Sequence, residues 1–436
     1  MTLDRLPSEL LATIFELCLD QPRRTLDTTS VPLLVCGVSA RWRAIALSTP
    51  ALWSTFALPG EMKPRHIELL QLWSLRAGGL PLTYKFATNH GETGEEALRI
   101  ALIFCTRWED VEMELPSASY IALGASPAVE SLSFDALRRL VLRVALAPAP
   151  HANRDLITTA LDITNAPLLR DFFISTRAEN LACGVPWNRL DRLTIDSRDA
   201  VDTDPSSTFC ILGRCTRLRR LVLLNNTTFE LAYTGRTRIC LPALTELTIA
   251  GAGISSALTL PALTHLKTTC LGVLRSDTPR VLATISKWNC PLTHLDLRLG
   301  HPVQITLTPI LAAGPLGSPF LNLIYLHLDF KLPSGLVDIV DASKVLKDTI
   351  NILPLLETLR MTSYFAGWKS PEAFKRMLTK RAQGHLRVFT LILPQVWSYA
   401  SLSEGDVKEF LFLVQVLDLE VNVFGKEQTV LFPLDD

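Results

Sequence analysis

The sequence predicts an α/β protein: a small three-helix block, followed by an irregular repeat array with a curved parallel sheet. Three observations lead to this prediction. A short apolar phrase recurs twelve times between residues 108 and 419. Helical and strand patterns alternate from residue 64 onward. The first 55 residues contain neither feature, and their apolar residues recur at helical spacing.

Length, charge and cysteine usage narrow the class of protein. A chain of 436 residues is too long for one ordinary compact domain, and 48% hydrophobic residues suffice for a large core. The 43 basic residues balance the 43 acidic ones, which argues against a broad surface for nucleic acid. Nine cysteines stand singly, without the Cys-x-x-Cys spacing of a zinc site, which suits a reducing compartment.

Neither a signal peptide nor a membrane span is expected. The chain begins without the charged-then-apolar pattern of a signal peptide. The longest apolar run near its end, residues 410–414, is far shorter than a membrane span. We therefore expect a protein of the cytoplasm, the nucleus or both, with no membrane and no nucleic acid among its partners.

The first helix is predicted to begin at Pro7, whose missing N–H would be unpaired in a first turn anyway. Its apolar face is wide, because two stripes of apolar side chains lie side by side. One stripe comprises Leu10, Ile14 and Leu17, and the other comprises Leu11, Phe15 and Cys18. The polar residues 20–30, which include Pro22, predict a loop.

Two further short helices are predicted. Pro32 begins the second, which ends at Val38, and Ser39 is placed to cap the third. Thr49 ends the third helix, because it precedes Pro50. On the third helix, Trp42, Ile45 and Ala46 are expected inside, with Arg41 and Arg43 outside. Three helices of this size cannot enclose all their apolar side chains, and the surplus predicts a surface for a partner.

This block resembles the F-box, in the variant common in mushroom-forming fungi. The matching residues are Leu6-Pro7-x-Glu9-Leu10-Leu11-x-x-Ile14-Phe15, Pro32-Leu33-Leu34, Val35-Cys36-x-Val38-Ser39-x-x-Trp42-Arg43-x-Ile45-Ala46 and Ser48-Thr49-Pro50-x-Leu52-Trp53-Ser54. The loop of residues 20–31 is longer than in the common form of the family. The resemblance assigns residues 1–55 to an F-box domain; the alternative is a plain helical cap on the repeat array.

The F-box resemblance implies docking onto the small adaptor protein of a cullin-RING ubiquitin ligase. It also implies which side chains form the F-box core and the adaptor face. These are Leu6, Pro7, Leu10, Ile14, Phe15, Pro32, Leu33, Val38 and Trp42.

Helix and strand patterns alternate after the block. The apolar residues within 64–77 recur at helical spacing, which predicts a helix that Gly78-Gly79 ends. Residues 80–86 have the pattern of a strand. A second helix over residues 95–105 is followed by a strand over residues 111–115.

The recurring phrase has the form Leu-x-x-Leu-x-Leu with conservative exchanges. Its instances begin at Trp108, Leu137, Leu169, Leu190, Leu218, Leu244, Leu263, Leu292, Leu323, Leu356, Leu386 and Val414. Their mean spacing is close to 28 residues, although single intervals vary from 19 to 33. One strand per period of this length is typical of a leucine-rich-repeat horseshoe, in which stacked repeats share one core.

The repeat region resembles the irregular leucine-rich repeats that often follow fungal F-boxes, and we assign residues 56–436 to it. The asparagine of the strict pattern is clear only at Asn226. Residues 145–153 and 196–207 are predicted surface loops, and residues 422–436 are predicted to cap the last repeat.

Strand side chains alternate, so the residues between the phrase leucines face outward. If the strands are in register, His265, His294 and Tyr325 form one column, and Lys267, Asp296 and His327 the next. The predicted substrate-binding patch comprises His265, Lys267, His294, Asp296, Arg298, Tyr325, His327 and Asp329. The alternatives are an exposed face that merely needs polar residues and a metal site formed by the three histidines.

We expect no catalytic activity and no cofactor. The sequence lacks the Gly-x-Ser-x-Gly elbow, the phosphate-binding Gly-Lys-Ser/Thr loop and the His-Glu-x-x-His helix. The expected function is a substrate-recognition subunit of an F-box (SCF) ubiquitin ligase with an unknown protein substrate. The alternative is a non-catalytic repeat scaffold whose F-box is uncoupled from ubiquitin ligation.

Overall fold

The structure is a computed structural model of the chain. It describes residues 6–19, 26, 31–58, 61–87, 92–116, 119, 132–145, 162–175, 184–196, 205–224, 238–250, 258–270, 285, 287–299, 320–330, 353–363, 384–392 and 420–424. The chain divides into two compact units, Met1–Asp199 and Ala200–Asp436. This division leaves the predicted domain boundary after residue 55 a prediction.

Three short helices open the first unit: α1 (Ser8–Leu17), α2 (Val31–Val38) and α3 (Ala40–Leu47). Pro7 is the N-cap of α1, one residue before its predicted place in the helix. Ser39 caps α3 as predicted, since its hydroxyl oxygen accepts a hydrogen bond of 3.1 Å from the Trp42 N–H. Of the predicted loop 20–30, the structure describes Leu26, which is buried and donates its N–H to the Ala57 carbonyl.

The first unit continues with alternating strands and helices. After a 3-10 turn at Pro50–Trp53 come β1 (Thr55–Ala57), α4 (Pro64–Arg76), β2 (Leu82–Ala87), α5 (Glu92–Ile103), β3 (Trp108–Pro116), β4 (Arg139–Ala145), β5 (Asp171–Ser175) and β6 (Arg192–Asp196). The helix predicted from residue 64 is confirmed, and it ends before Gly78, whose φ of 59° lies in the left-handed region. The six strands pair in parallel in chain order.

The second unit repeats this parallel arrangement. It comprises α6 (Pro205–Arg214), β7 (Arg220–Leu224), β8 (Ile239–Cys240), β9 (Glu246–Ala250), β10 (Leu258–Thr259), β11 (His265–Cys270), β12 (His294–Leu299), β13 (Tyr325–Phe330), β14 (Thr358–Ser363), β15 (Val388–Ile392) and β16 (Glu420–Phe424). Strand β7 pairs with β9, β9 with β11, and each later strand with its successor. Strands β8 and β10 form a separate parallel pair. The predicted α/β class with parallel strands is confirmed.

The recurring phrase explains why these segments become strands. Its second and third residues lie in a strand in eleven of the twelve instances, and those whose side chains the structure describes are buried. In β12, for example, Leu295 is fully buried and Leu297 is 2% exposed, while Leu292 is fully buried just before the strand. Each repeat thus adds its leucines to a core that it could not close alone.

The twelfth phrase is where the prediction is wrong. Strand β16 follows the predicted leucines, and its Val421 and Val423 are the residues that pair with Phe389 and Leu391. Strand patterns have a period of two, so a shift of four residues leaves the alternation unchanged, and the neighbouring strand decides the register. Asn422 is therefore a strand residue, and the predicted cap loses its first residues; residues 425–436 lie outside the described residues.

The two predicted loops also need correction at their ends. Ala145 closes β4, and residues 146–153 lie outside the described residues. Asp196 closes β6, and Pro205 begins α6, so the second predicted loop is too long at both ends. Proline suits the first turn of a helix as well as a loop, so Pro205 does not by itself indicate a loop.

A buried chain of aromatic rings joins the helices to the first strands within the first unit. The ring centroids of Trp53 and Trp73 are 5.4 Å apart, and those of Trp73 and Phe56 are 5.8 Å apart. Phe56 stacks on Tyr84, which meets Trp108 edge-on at 5.5 Å. Side chains from both sides of the predicted boundary at residue 55 therefore share one core. Within the described part of the chain, no helix could cross a membrane.

Candidate functional site

Helix α1 buries Leu11 and Phe15 of one apolar stripe and exposes the other stripe, while Cys18, the C-cap of α1, is exposed. Leu11 is 1% exposed and Phe15 is 2% exposed, and the Phe15 ring lies 5.0 Å from that of Trp42. Leu10 and Ile14 remain 51% and 40% exposed. The small core has room for one stripe, so the other stripe stays in solvent.

Helices α2 and α3 extend this exposed apolar surface. Together, the three mutually packed helices expose six large aliphatic side chains, which we call the apolar helix face. They are Leu10, Ile14, Leu17, Leu34, Val38 and Leu47. A surplus of exposed apolar side chains on a small helical unit is typical of a protein-binding surface.

The residues predicted from the F-box resemblance divide into three groups. Pro7, Leu10, Ile14 and Val38 are exposed, Leu6, Leu33 and Trp42 are half-buried, and Phe15 and Pro32 are buried. The prediction did not include Leu17, Leu34 and Leu47, although Leu17 lies in the same predicted stripe as Leu10 and Ile14, and Leu34 lies in the quoted motif. Arg41, which was expected outside, is half-buried and donates a hydrogen bond to the Leu6 carbonyl.

The second candidate surface is the second-unit sheet face, which we define as the outward side chains of β7, β9 and β11–β15. The predicted columns are confirmed: His265 pairs with His294 and His294 with Tyr325, while Lys267 pairs with Asp296 and Asp296 with His327. At the start of β9 and of β11–β15, two consecutive N–H groups donate to one carbonyl just before the preceding strand, as Thr293 and His294 do to Thr264. These bonds hold neighbouring repeats in register.

The first column forms a stack of rings. The imidazoles of His265 and His294 lie 4.2 Å apart with an interplanar angle of 14°, and the Tyr325 ring follows at 5.6 Å. Stacking of this kind presents the ring edges, rather than the ring faces, along the outward side of the sheet.

Threonines just before the strands orient both imidazoles. The Thr264 hydroxyl donates to the Thr245 carbonyl and lies 2.9 Å from Nδ1 of His265. Thr293 makes the same two contacts, with Thr264 and with Nδ1 of His294. A hydroxyl has one hydrogen, so each threonine must accept from the imidazole, and we assign the proton of each neutral ring to Nδ1. Protonation of His294 then occurs at Nε2.

The second column contains an ion-paired carboxylate. Asp296 lies 3.3 Å from the Lys267 ammonium and 3.2 Å from Nδ1 of His327. Burial acts to raise the pKa of Asp296, but the hydrogen bond and charge of His327, together with Lys267, outweigh it and hold the pKa below its usual range. Burial, with His265 alongside, lowers the pKa of His294, which favours the neutral ring.

Two residues of the predicted patch are placed by backbone pairing alone. Arg298 pairs with Asp329 across β12 and β13, and their side chains lie outside the described residues. The three histidines do not form a metal site, because His327 contacts Asp296 in the other column. Among the described residues, no group of three or more histidine, cysteine, aspartate or glutamate side chains could hold a metal ion.

The outward side chains of β2–β6, the first-unit sheet face, form a network that the sequence reading missed. The ion pairs run across the strands: Lys85–Glu112 at 2.7 Å, Arg143–Glu112, Arg139–Asp110 at 2.8 Å, Arg139–Asp171 at 3.9 Å and Arg192–Asp171 at 3.8 Å. A sequence pattern could have predicted this network. Acidic and basic residues alternate at one outward position of successive strands, from Asp110 through Arg139 and Asp171 to Arg192.

Comparison with known proteins identifies no relative: neither the protein-family models nor the curated proteins match this chain. We therefore interpret the two candidate surfaces, the apolar helix face and the second-unit sheet face, from their own chemistry.

Proposed function

We propose that this chain is the substrate-recognition subunit of an F-box-type cullin-RING ubiquitin ligase. The observation that carries the proposal is the apolar helix face, which lies on the three helices whose sequence resembles the F-box. Residues 1–55 would dock the ligase adaptor, and leucine-rich repeats over residues 56–436 would bind a protein substrate. Such a subunit would work in the cytoplasm, the nucleus or both.

Hydrophobic burial would drive the docking. Complete burial of a large aliphatic side chain contributes about 1.5–3 kcal/mol relative to full exposure. The six side chains of the apolar helix face start between 40% and 65% exposed, so an adaptor that covers them gains part of this from each. The sum supports a stable complex after the entropic cost of association.

Leucine-rich repeats are supported by one strand per phrase and by the burial of the phrase residues. In each unit they provide parallel strands whose outward side chains can contact a substrate. A receptor of this kind needs no catalytic group of its own. It raises the local concentration of substrate lysines near the conjugating enzyme that the ligase holds.

The test is the affinity of the full chain for the purified adaptor. The double substitution Leu10→Glu and Ile14→Glu should weaken binding by at least about 100-fold, because it places two carboxylates in an apolar contact. Leu75→Glu is the matched control, since Leu75 is 62% exposed on α4, outside the apolar helix face. The control should bind like the wild type, and circular dichroism should show all three proteins folded.

Other outcomes favour the alternatives. Wild-type affinity in the double variant would overturn the assignment of this face. If the wild type itself does not bind the adaptor, the helical cap is the better interpretation of residues 1–55. Adaptor binding without ubiquitination of any protein bound by the array would favour the uncoupled repeat scaffold.

A further inference from the structure

The basic side chains of the two sheet faces differ in whether they have acidic partners. On the first-unit sheet face, each of Lys85, Arg139, Arg143 and Arg192 has a carboxylate within ion-pair distance. On the second-unit sheet face, Arg220 pairs with Glu246 at 3.1 Å and Lys267 with Asp296. The remaining described basic side chain there is Arg360.

Arg360 is a half-buried cation without an acidic partner in the part of the chain that the structure describes. Its column neighbours are His327 on β13 and Thr390 on β15, and neither is an acid. Its Nε is buried and has no hydrogen-bond partner among the described residues. A buried guanidinium donor without an acceptor costs free energy, and a carboxylate at the exposed part of this half-buried side chain would supply the counter-charge that the described residues lack.

The ring stack adds a donor that depends on protonation. Nδ1 of His265 and Nδ1 of His294 are held by threonines, which leaves Nε2 of each ring for a ligand, and neither Nε2 has a hydrogen-bond partner among the described residues. His294 gains its proton at Nε2, and a negatively charged ligand beside the stack would favour its protonated form.

We propose that His265, Lys267, His294, Tyr325 and Arg360 form a docking site for an acidic segment of a partner protein, bound through its carboxylates. The proposal rests on the substrate-binding role given above to the repeat array and names the class of substrate. The charges support it, because among the described side chains of these columns the three cations Arg220, Lys267 and Arg360 exceed the two acids Glu246 and Asp296 by one. Tyr325 supplies a hydroxyl donor and an apolar ring at the end of the stack.

Binding is coupled to proton uptake. His294 is flanked by the ionisable side chains of β9, β11, β12 and β13, namely Glu246, His265, Lys267, Asp296, Tyr325 and His327. Without ligand, its low pKa keeps the ring neutral at pH 7. A bound carboxylate raises that pKa, so the complex takes up a proton and its affinity rises as the pH falls.

The experiment measures binding of a fluorescein-labelled decaglutamate peptide to the full chain by fluorescence anisotropy. Between about pH 7.5 and about pH 6, where glutamate stays ionised, the affinity should rise several-fold. Arg360→Gln should weaken binding about tenfold at both pH values. His294→Asn keeps a donor toward Thr293 but has no Nε2, and it should remove most of the pH dependence.

Matched controls separate this site from general charge attraction. Arg192→Gln makes the same change on the first-unit sheet face and should leave the affinity unchanged. A decalysine peptide should not bind. Equal binding of a thymidine oligonucleotide, with the same response to Arg360→Gln, would indicate a site for any polyanion and overturn the proposal.

Two further results would overturn it: no binding of the decaglutamate peptide at about pH 6, or binding that Arg360→Gln does not weaken. The adaptor-binding variant Leu10→Glu, Ile14→Glu should bind the peptide as the wild type does. Failure of the ligase proposal and failure of this one are therefore read from different measurements.

Discussion

The two sheet faces have the same strand pattern but differ in how their polar side chains are satisfied. On the first-unit sheet face, charged groups neutralise one another; Glu112, for instance, contacts both Lys85 and Arg143. On the second-unit sheet face, imidazole and phenol rings stack, and Arg360 has no acidic partner among the described residues.

The difference shows how the same strand pattern can carry one surface whose charges are paired with one another and another surface whose polar groups remain available to a partner. Partly exposed ion pairs contribute little net stability, but like charges would meet if the strands slipped, so the network favours one register. The charged groups of this network already contact one another, so few of them are left to bind a ligand. The second face obtains its register from backbone and threonine hydrogen bonds, which leaves ring edges and a guanidinium open to a partner.

The largest effect on the free energy of unfolding is expected from substitutions of the buried leucines beneath the two sheet faces. Here the two units should behave alike. Leu140 on β4 and Leu295 on β12 are both fully buried at the same position of the phrase. Leu140→Ala and Leu295→Ala should each lower the free energy of unfolding by about 2–5 kcal/mol through the cavity they leave. Urea denaturation measures both. A surface substitution such as Leu75→Glu provides the baseline, and a negligible loss in either variant would contradict a shared core construction.

A smaller effect should distinguish the carboxylates of the faces. Glu112→Gln leaves Lys85 and Arg143 without their counter-charge and should cost about 1 kcal/mol, since the pair is partly screened. Hydrogen bonds from both cations outweigh burial and hold the pKa of Glu112 below its usual range. Its contribution is therefore present above about pH 4.3, the unfolded value, and is lost as the pH falls through the folded value.

The measurement is the free energy of unfolding against pH for wild type and Glu112→Gln. The two curves should converge in acid. Asp296→Asn provides the counterpart on the second-unit sheet face, where the pKa of Asp296 is also lowered, and its curve should behave in the same way. Parallel curves that stay apart in acid would show that the charge of these carboxylates is not what matters.

The smallest effect is expected from His294. Its folded pKa lies below the unfolded value of about 6.5, so the unfolded chain binds the proton more readily. Stability should therefore fall as the pH drops below about 6.5, and His294→Gln should flatten this part of the curve. Thermal unfolding scans across this range provide the measurement, with Arg192→Gln as a control that keeps the slope. An unchanged slope in His294→Gln would assign the titration elsewhere.

Much of the architecture could be read from local chemistry. Ser39 caps α3 because its hydroxyl accepts the Trp42 N–H, and the helix after Pro64 ends where Gly78 adopts a positive φ. The two columns of the second-unit sheet face followed from the spacing of the phrase, because buried leucines determine which residues face outward.

Other features depended on neighbours distant in the sequence. The two apolar stripes of α1 look alike in the sequence, and the packing of Phe15 against Trp42 decides that Leu11 and Phe15 are buried while Leu10 and Ile14 are not. The register of β16 is decided by β15, because a period of two leaves several equivalent alignments. Local patterns determine which residues become helices and strands and which side of a strand is apolar. Tertiary packing decides which of two equivalent surfaces is buried and which charges meet, because those choices depend on contacts across the fold.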